Sequence, residues 1–554
     1  MLNVGIDFGS TYTMVSVYRP ETDQLETVIL DLTSPYIPSV VTLKNGKLEF
    51  GKAAKTLTGK KSVESFRSFK MLLSERDWNI LTARGYSREY TPAVVAQKFL
   101  EDVVQQVLRH FGENKIDNLV IGAPEIWFQE VNTITSRSIL RDICSGFSAV
   151  SKVQVVSEPT AACAFFAHNY QTIKGKPFDG NILLIDYGGG TLDISLAQIL
   201  VDGSKDGQQI MEVKVLERSG AGENEEKQIG KASIVYMETV MELAIKKADI
   251  LDEGQELVKD GKFYQAVNTL ESELQSRVSI VDSAFEELGI DDLEELDEEF
   301  TVVEYKGEDI EITYADLVQV YDQVIRCVLD ENLQAMIEFM KERRIDFSQG
   351  TKENFKIAMV GGFCNYYLVR KQIMDTFHIG THDQRLSDIL KVRSDCEKAI
   401  SLGTALISSG IVGMRNTAPY SVGIYIQNQE KRSLFDYAIC FKQDIDYNTP
   451  YYHKKPIWIG GNSIKELVIN NGYKDKTAQI LPLRENFSKQ LQNLVENEHG
   501  TATVGFSLDS SDILSIWIKE FDLENERSQG EKSIELARFD QLFDMGRLRR
   551  LIDE

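Results

Sequence analysis

Cysteine is scarce in this 554-residue sequence. The six present, at 144, 163, 327, 364, 396 and 440, form no CxxC pair and no closely spaced framework. That argues against a disulfide scaffold and reads as buried or free thiols of a reducing compartment. Positive charge is also short, with 61 Lys and Arg against 85 Asp and Glu and a net charge of −24. Such a chain repels phosphate backbones, so no nucleic acid is expected as a partner. A nucleotide can still be held where backbone N–H groups and a metal ion carry the site. No window approaches ~18 uninterrupted apolar residues, so no membrane span or membrane partner is expected. The opening MLNVGID lacks the basic and long apolar stretches of a signal peptide. The class implied is a soluble, cytoplasmic protein.

Three local patterns are incomplete. The run FEELGIDDLEELDEEF packs nine acids into 286–300, but it lacks the alternating ligands and glycine turn of a calcium loop. It reads as a solvated helix face and loop. His378 and His382 are four apart, yet Gly380 interrupts them and no third ligand is evident, so zinc is not expected. The segment ELVKDGKFYQAVNTLESEL (256–274) has the rhythm of a helical repeat without a second copy, which leaves an ordinary helix pair.

Length divided by ~150 suggests three or four domains. Residues 2–7, 13–18 and 26–30 read as strands, 92–111 as a helix, and NLVIGAP (118–124) as a buried strand. GNILLIDYGGGTLDISLAQIL (180–200) returns to two strands around a glycine turn. Residues 227–288 and 315–345 read as helical, FKIAMVGGF as a strand entering a turn, and 394–412 as a helix of small residues. After Asn416 the texture becomes short alternating runs, YSVGIYI, KPIWI, TATVGFSL and ILSIWIKEF, the pattern of sheets with one buried face.

Two stretches repeat each other. GIDFGSTYTMVSV (5–17) and LIDYGGGTLDISL (184–196) both read apolar strand, Asp, aromatic, Gly, two small residues and a second apolar strand. An internal duplication follows, with one hairpin in each of two α/β lobes. A carboxylate at a strand end is poor packing material but a good partner for Mg²⁺ through its water shell. Gly9, Gly188, Gly189 and Gly190 let backbone N–H groups approach phosphate oxygens, and Ser10, Thr11 and Thr191 add hydroxyls. Two such turns facing each other would clasp a metal-bound polyphosphate. Further along, VVSEPTAACAFFA places Glu158 at a strand end before a small-residue helix. AMVGGFCNYYLVRKQI sets Gly361 and Gly362 where a flat nucleoside can lie on bare backbone.

In this order, the Asp-aromatic-Gly turn, SEPTAA, IDYGGGTLDIS, VGG and GTA resemble the actin-like ATPase fold, and within it the seventy-kilodalton heat-shock chaperone family. APYSVGI and ATVGFSLDSSDILSIWIKE resemble strands of that family's peptide-binding β-sandwich. The resemblance spans about 1–537 and thins across 220–310. It implies a two-lobed, ribonuclease H-like α/β ATPase domain at 1–413, with lobe I at about 1–180 and 394–413. Lobe II would occupy about 181–393, with a helical subdomain at about 225–310. An all-β sandwich would follow at 417–537, then a short tail at 538–554 in place of a helical lid.

The resemblance further implies ATP/ADP and Mg²⁺ as cofactors and an ATPase activity of chaperone type. Asp7 and Asp186 would hold the hydrated metal. Ser10, Thr11, Tyr12 and Gly188 to Thr191 would cradle phosphates. Lys70, in SFKMLL, would steady the γ-phosphate and the attacking water, with Glu158 and Asp193 ordering the metal waters. Gly361, Gly362 and Phe363, with Glu273 and Arg277, would meet the base. Ile424, Ile426, Ile457 and Leu467 would line a peptide cleft for unfolded or extended polypeptide clients, and co-chaperones would be partners.

The chain also departs from the pattern. Gly361-Gly362 is followed by Phe363-Cys364-Asn365 in place of Ser-x-Arg. The arginine expected eight residues after Pro124 falls at Asn132. The acidic, leucine-rich linker is replaced by ISSGIVGMRN running into TAPYSVGI. Two other classes share the ATPase core: an actin-like filament protein, which has no reason to carry the β region, and a small-molecule kinase, which would need a catalytic base beside a sugar pocket.

Overall fold

In a computed structural model of the chain, the structure describes residues 1–30, 34–129, 134–205, 208–221, 232–250, 256–348, 354–380, 383, 385–386, 393–414, 418, 421–426, 434–440, 443–453, 457–458, 466–470, 479–482, 501–509, 511, 514–522 and 527–535. Asn132, His382 and the tail 538–554 lie outside them. The chain divides into two compact units. The first comprises Met1–Ile126, Phe147–Val153 and Ser157–Gly413, and the second Trp127–Gly146, Gln154–Val156 and Met414–Glu554.

The first unit is built on two sheets that run the same course. Asn3–Phe8 turns back antiparallel on Tyr12–Arg19, and Asn3–Phe8 also takes Ile116–Ala123 as a parallel partner. Gly180–Tyr187 turns back on Leu192–Lys205 and takes Phe355–Val360 as its parallel partner. Each hairpin is extended by one more antiparallel strand, Gln24–Thr27 in the first sheet and Gln208–Ala221 in the second. The first strand of each hairpin carries a buried apolar run, Val4–Ile6 and Ile182–Ile185, that ends at Asp7 and Asp186, because a strand covered on both faces has no solvent side to make polar. Register puts Asp7 opposite Met14 and Asp186 opposite Asp193.

Helices cover the sheets. Pro92–Phe111 starts on Thr91, whose hydroxyl accepts the Val94 N–H, and stops at Gly112 in the left-handed region. Glu158–Lys174 is capped by Ser157 and ended by Gly175 in the same way. Arg393–Ser408 packs on that helix and on the first sheet, where Ser16 Oγ donates to Ser401 Oγ at 2.9 Å. The expected helical stretch 227–288 is broken into Ser233–Lys247, Gly261–Ser276 and Val278–Leu288. The acid run then leads into a hairpin, Glu299–Tyr305 with Glu308–Thr313, turned at Gly307. Its alternation was masked by the surrounding acids.

In the second unit the C-terminal chain forms two antiparallel sheets. One orders Leu434–Ile439, Ser421–Ile426, Glu466–Asn470 and Gln479–Pro482. The other is built on Thr501–Leu508, Leu514–Asp522 and Arg527–Glu535. The same unit includes the helix Ile134–Ser145, from which Arg141 pairs with Asp509 at 3.3 Å. Val412–Met414 is the edge strand beside Gln208–Ala221. All six cysteines are free thiols, with Cys327 and Cys440 exposed. Among the described residues no helix is long and apolar enough to cross a membrane.

Candidate functional site

The two hairpin turns face each other within the first unit. A Cβ placed on Gly189 would lie 2.4 Å from Thr11 Oγ1, and one on Gly190 would lie 2.6 Å from Ser10 Oγ. No residue larger than glycine fits that approach without displacing the opposite turn. Each turn is fixed from outside. Ser39 Oγ donates to the Gly9 carbonyl at 2.7 Å and its N–H to the Thr11 carbonyl at 2.8 Å. The Ile234 N–H, in the first turn of Ser233–Lys247, donates to the Gly189 carbonyl at 2.9 Å.

Around the turns lies a cavity of about 640 Å³, within the range of a nucleotide-sized site. Asp7, Gly9, Ser10, Thr11, Tyr12, Lys70, Glu158, Asp186 and Gly188 to Thr191 all line it, as do Gly361, Gly362 and Phe363. Asp193 is fully buried behind this wall. Lys70 reaches Glu158 Oε1 at 2.5 Å, with both side chains almost wholly buried. Glu158 is the first residue of its helix, where the positive end of the macrodipole favours a carboxylate.

Four buried carboxylates therefore share the space around one lysine. Burial, then the neighbouring Glu158, pushes Asp7 up to about 7, against the pull of Lys70. The same two causes raise Asp193 to about 8, against a hydrogen bond from Thr191, and hold Asp186 well above the usual carboxylate range. Asp186 Oδ2 and Asp193 Oδ2 are buried without a hydrogen-bond partner. Such an arrangement has a deficit of positive charge, which a cation fits. Among the described residues, no three His, Cys, Asp or Glu side chains are arranged to hold a metal directly.

Further along the cavity wall, Gly361 has φ +80°, and a Cβ there would meet Asp186 Oδ1 at 2.5 Å. Glycine is thus demanded at 361 by the backbone and by the acid beside it, whereas Gly362 has φ −61° and open space where a Cβ would stand. Phe363 lines the cavity, and its ring also packs against Tyr187, Tyr236 and Tyr366. The structure departs from one sequence expectation here. Glu273 and Arg277 do not line the cavity. They pair with each other at 3.0 Å, and Arg277 also donates to the Phe300 carbonyl. The helix faces the cavity through Glu271, Leu274 and Gln275, and the next helix through Val278, Val281 and Asp282. The 273/277 pair came from the family resemblance alone, and the helix turns an adjacent, less charged stripe inward.

Lys55, Tyr36 and Glu397 also line the cavity and carried no sequence signal: Lys55 Nζ donates to the Tyr12 hydroxyl at 3.0 Å, and Tyr36 donates to Glu397. In the second unit, Ile424 and Leu467 are cross-strand neighbours and both are buried within their sheet, so neither presents an open pocket wall. Alternation of apolar residues looks the same for a core and for a cleft. The side chains of Ile426 and Ile457 lie outside the described residues.

Comparison with known families agrees with this geometry. Residues 3–214, a span that holds both hairpins, Lys70 and Glu158, match the family model described as Hsp70 protein. Over that span the chain is similar to the Hsp70 family of heat-shock chaperones, and with it to the actin-like ATPase superfamily.

Proposed function

We propose that the chain is an ATP-dependent molecular chaperone that binds Mg-ATP between its two Asp-Gly turns, hydrolyses it, and binds extended apolar polypeptide segments through its C-terminal sheets. The observation that carries this reading is the convergence of Asp7, Asp186, Lys70 and Glu158 on one cavity beneath two touching glycine-rich turns. Members of the Hsp70 family are ATPases that act on polypeptides.

In this reading Asp7 and Asp186 hold the waters of Mg²⁺. Backbone N–H groups and hydroxyls of 9–12 and 188–191 take the phosphate oxygens. The metal, when bound, offsets charge on the β- and γ-phosphates. Lys70, kept in place by Glu158, presents its ammonium to the γ-phosphate and the attacking water. Asp193 and Glu158 orient water. Little covalent chemistry is left to the protein, so positioning and charge supply the rate. Leu274, Val278 and Val281 offer the base an apolar wall opposite Gly361 and Gly362.

The two C-terminal sheets are read as a peptide-binding sandwich spanning 417–537, and the setting as cytoplasmic. Extended segments would be held there by main-chain hydrogen bonds and a few buried side chains.

Asp186→Asn tests the site. Mg²⁺-dependent ATP hydrolysis should fall by orders of magnitude while the circular dichroism spectrum stays that of the parent. Parent-like turnover in Asp186→Asn would remove the site assignment.

A further inference from the structure

One buried charge in the first unit has no part in the reading above. Glu125 is fully buried; its Oε1 is ion-paired without accepting a hydrogen bond, and its Oε2 accepts one. Arg218 Nε lies 2.9 Å from Oε1, and Ser195 Oγ donates to Oε2 at 3.2 Å. Its own backbone N–H donates to Asp193 Oδ1 at 2.9 Å. Glu125 follows the parallel strand of the first sheet, whereas Ser195 and Arg218 sit on the second and third strands of the other. Pro124, just before it, has no N–H. The Glu125 N–H is therefore the first backbone donor after that strand end, and it points at an acid of the site.

We infer that Glu125 is a positioning residue for ATP hydrolysis. The ion pair with Arg218 and the bond from Ser195 clamp the Glu125 backbone so that its N–H fixes one oxygen of Asp193 and leaves the other, Oδ2, without a partner. A carboxylate held at one oxygen presents the second in a single direction, which is what ordering a water requires. Structural burial alone is a weaker account. A buried ion pair is seldom more stable than apolar residues of the same volume, so stability gives little reason to keep one here. The inference rests on the proposed role of Asp193.

The test uses the full chain with Glu125→Gln, Arg218→Met and the double variant, and Ser195→Ala as a milder lesion. ADP affinity, melting temperature and single-turnover ATP hydrolysis are measured for each. Glu125→Gln removes the charge that faces Arg218 Nε and should lower both melting temperature and hydrolysis. The double variant removes both charges and should regain melting temperature. The positioning role predicts that its hydrolysis stays at least tenfold below the parent while ADP affinity changes less than twofold. Ser195→Ala, with the ion pair intact, should lose a few-fold in rate without melting early, and decides the matter if the double variant does not fold. Recovery of hydrolysis together with stability, or parent rates in Ser195→Ala and the double variant, would reduce Glu125 to charge balance and overturn the inference. Asp193→Asn and Asp186→Asn are run alongside. A parent rate in Asp193→Asn alone overturns the positioning role, whereas a parent rate in Asp186→Asn overturns the site itself.

Discussion

Asp7 and Asp193 are ordinary residues placed where their charge is costly. In the ligand-free chain each keeps its proton to about 7 and about 8, whereas an unfolded chain gives it up near 3.8. Between those values the folded state binds more protons than the unfolded state, so these groups favour folding at acid pH and cease to do so as pH rises through their folded values. Stability of the ligand-free protein should thus decline less steeply between about pH 5 and pH 8 in Asp7→Asn than in the parent. Thermal unfolding across that window measures it, and equal slopes would contradict the assignment. Asp7, like Asp186, was plain in the sequence, since a carboxylate followed by an aromatic and glycine is an odd choice for a turn, whereas Asp193, between Leu192 and Ile194, was reached only through the family resemblance. The closeness of Lys70 to Glu158 was not legible, because 88 residues separate them and only tertiary folding sets the distance.

At the level of elements, the helix Gly261–Ser276 shows where sequence reasoning fails. Its buried stripe, Phe263, Ala266, Val267, Leu270 and Leu274, has the spacing of an amphipathic helix and was readable as such. Which flank of that stripe borders the cavity depends on how the helix is docked, and periodicity does not contain that information. Leu274→Asp should weaken ADP binding at least tenfold, by setting a charge against the nucleoside wall. Glu273→Ala, on the neighbouring stripe, should change it less than twofold. Calorimetric titration of both variants tells the two faces apart, and a larger effect at Glu273 would return the site to the sequence expectation. The hairpins, in contrast, were legible to within a residue or two, because each is a local pairing whose turn residues and alternation lie in one short stretch.

For the whole molecule, under the proposed function, the segment joining the first unit to the C-terminal sheets would set how far nucleotide state can be felt by a peptide. It lacks the acidic leucine run of the family it resembles, yet Val412 is buried and its strand sits on the edge of the second sheet. A ligand shifts an equilibrium only by its differential affinity for two states. With one buried valine as the docking side chain, peptide affinity in ATP and in ADP should differ by less than tenfold, about 1.4 kcal/mol. Val412→Asp should bring the ratio to about one. Fluorescent-peptide titration in a background that binds ATP without hydrolysing it gives both numbers, and a hundredfold ratio in the parent would defeat the prediction.

The strand order has a consequence for how the chain comes to exist at all. Each hairpin closes within a few residues, but Asn3 waits for Asn118 and Asn181 for Phe355 before its sheet gains the parallel neighbour. Local pairings form fast, and pairings across long stretches of chain form slowly. On a ribosome adding residues from the N-terminus, the first Asp-Gly hairpin is made long before its parallel strand emerges, and the second waits longer still. Until then, strands buried on both faces in the finished protein have at least one face open. A protein read here as a guardian of unfolded chains would, during its own synthesis, depend on the kind of protection it provides.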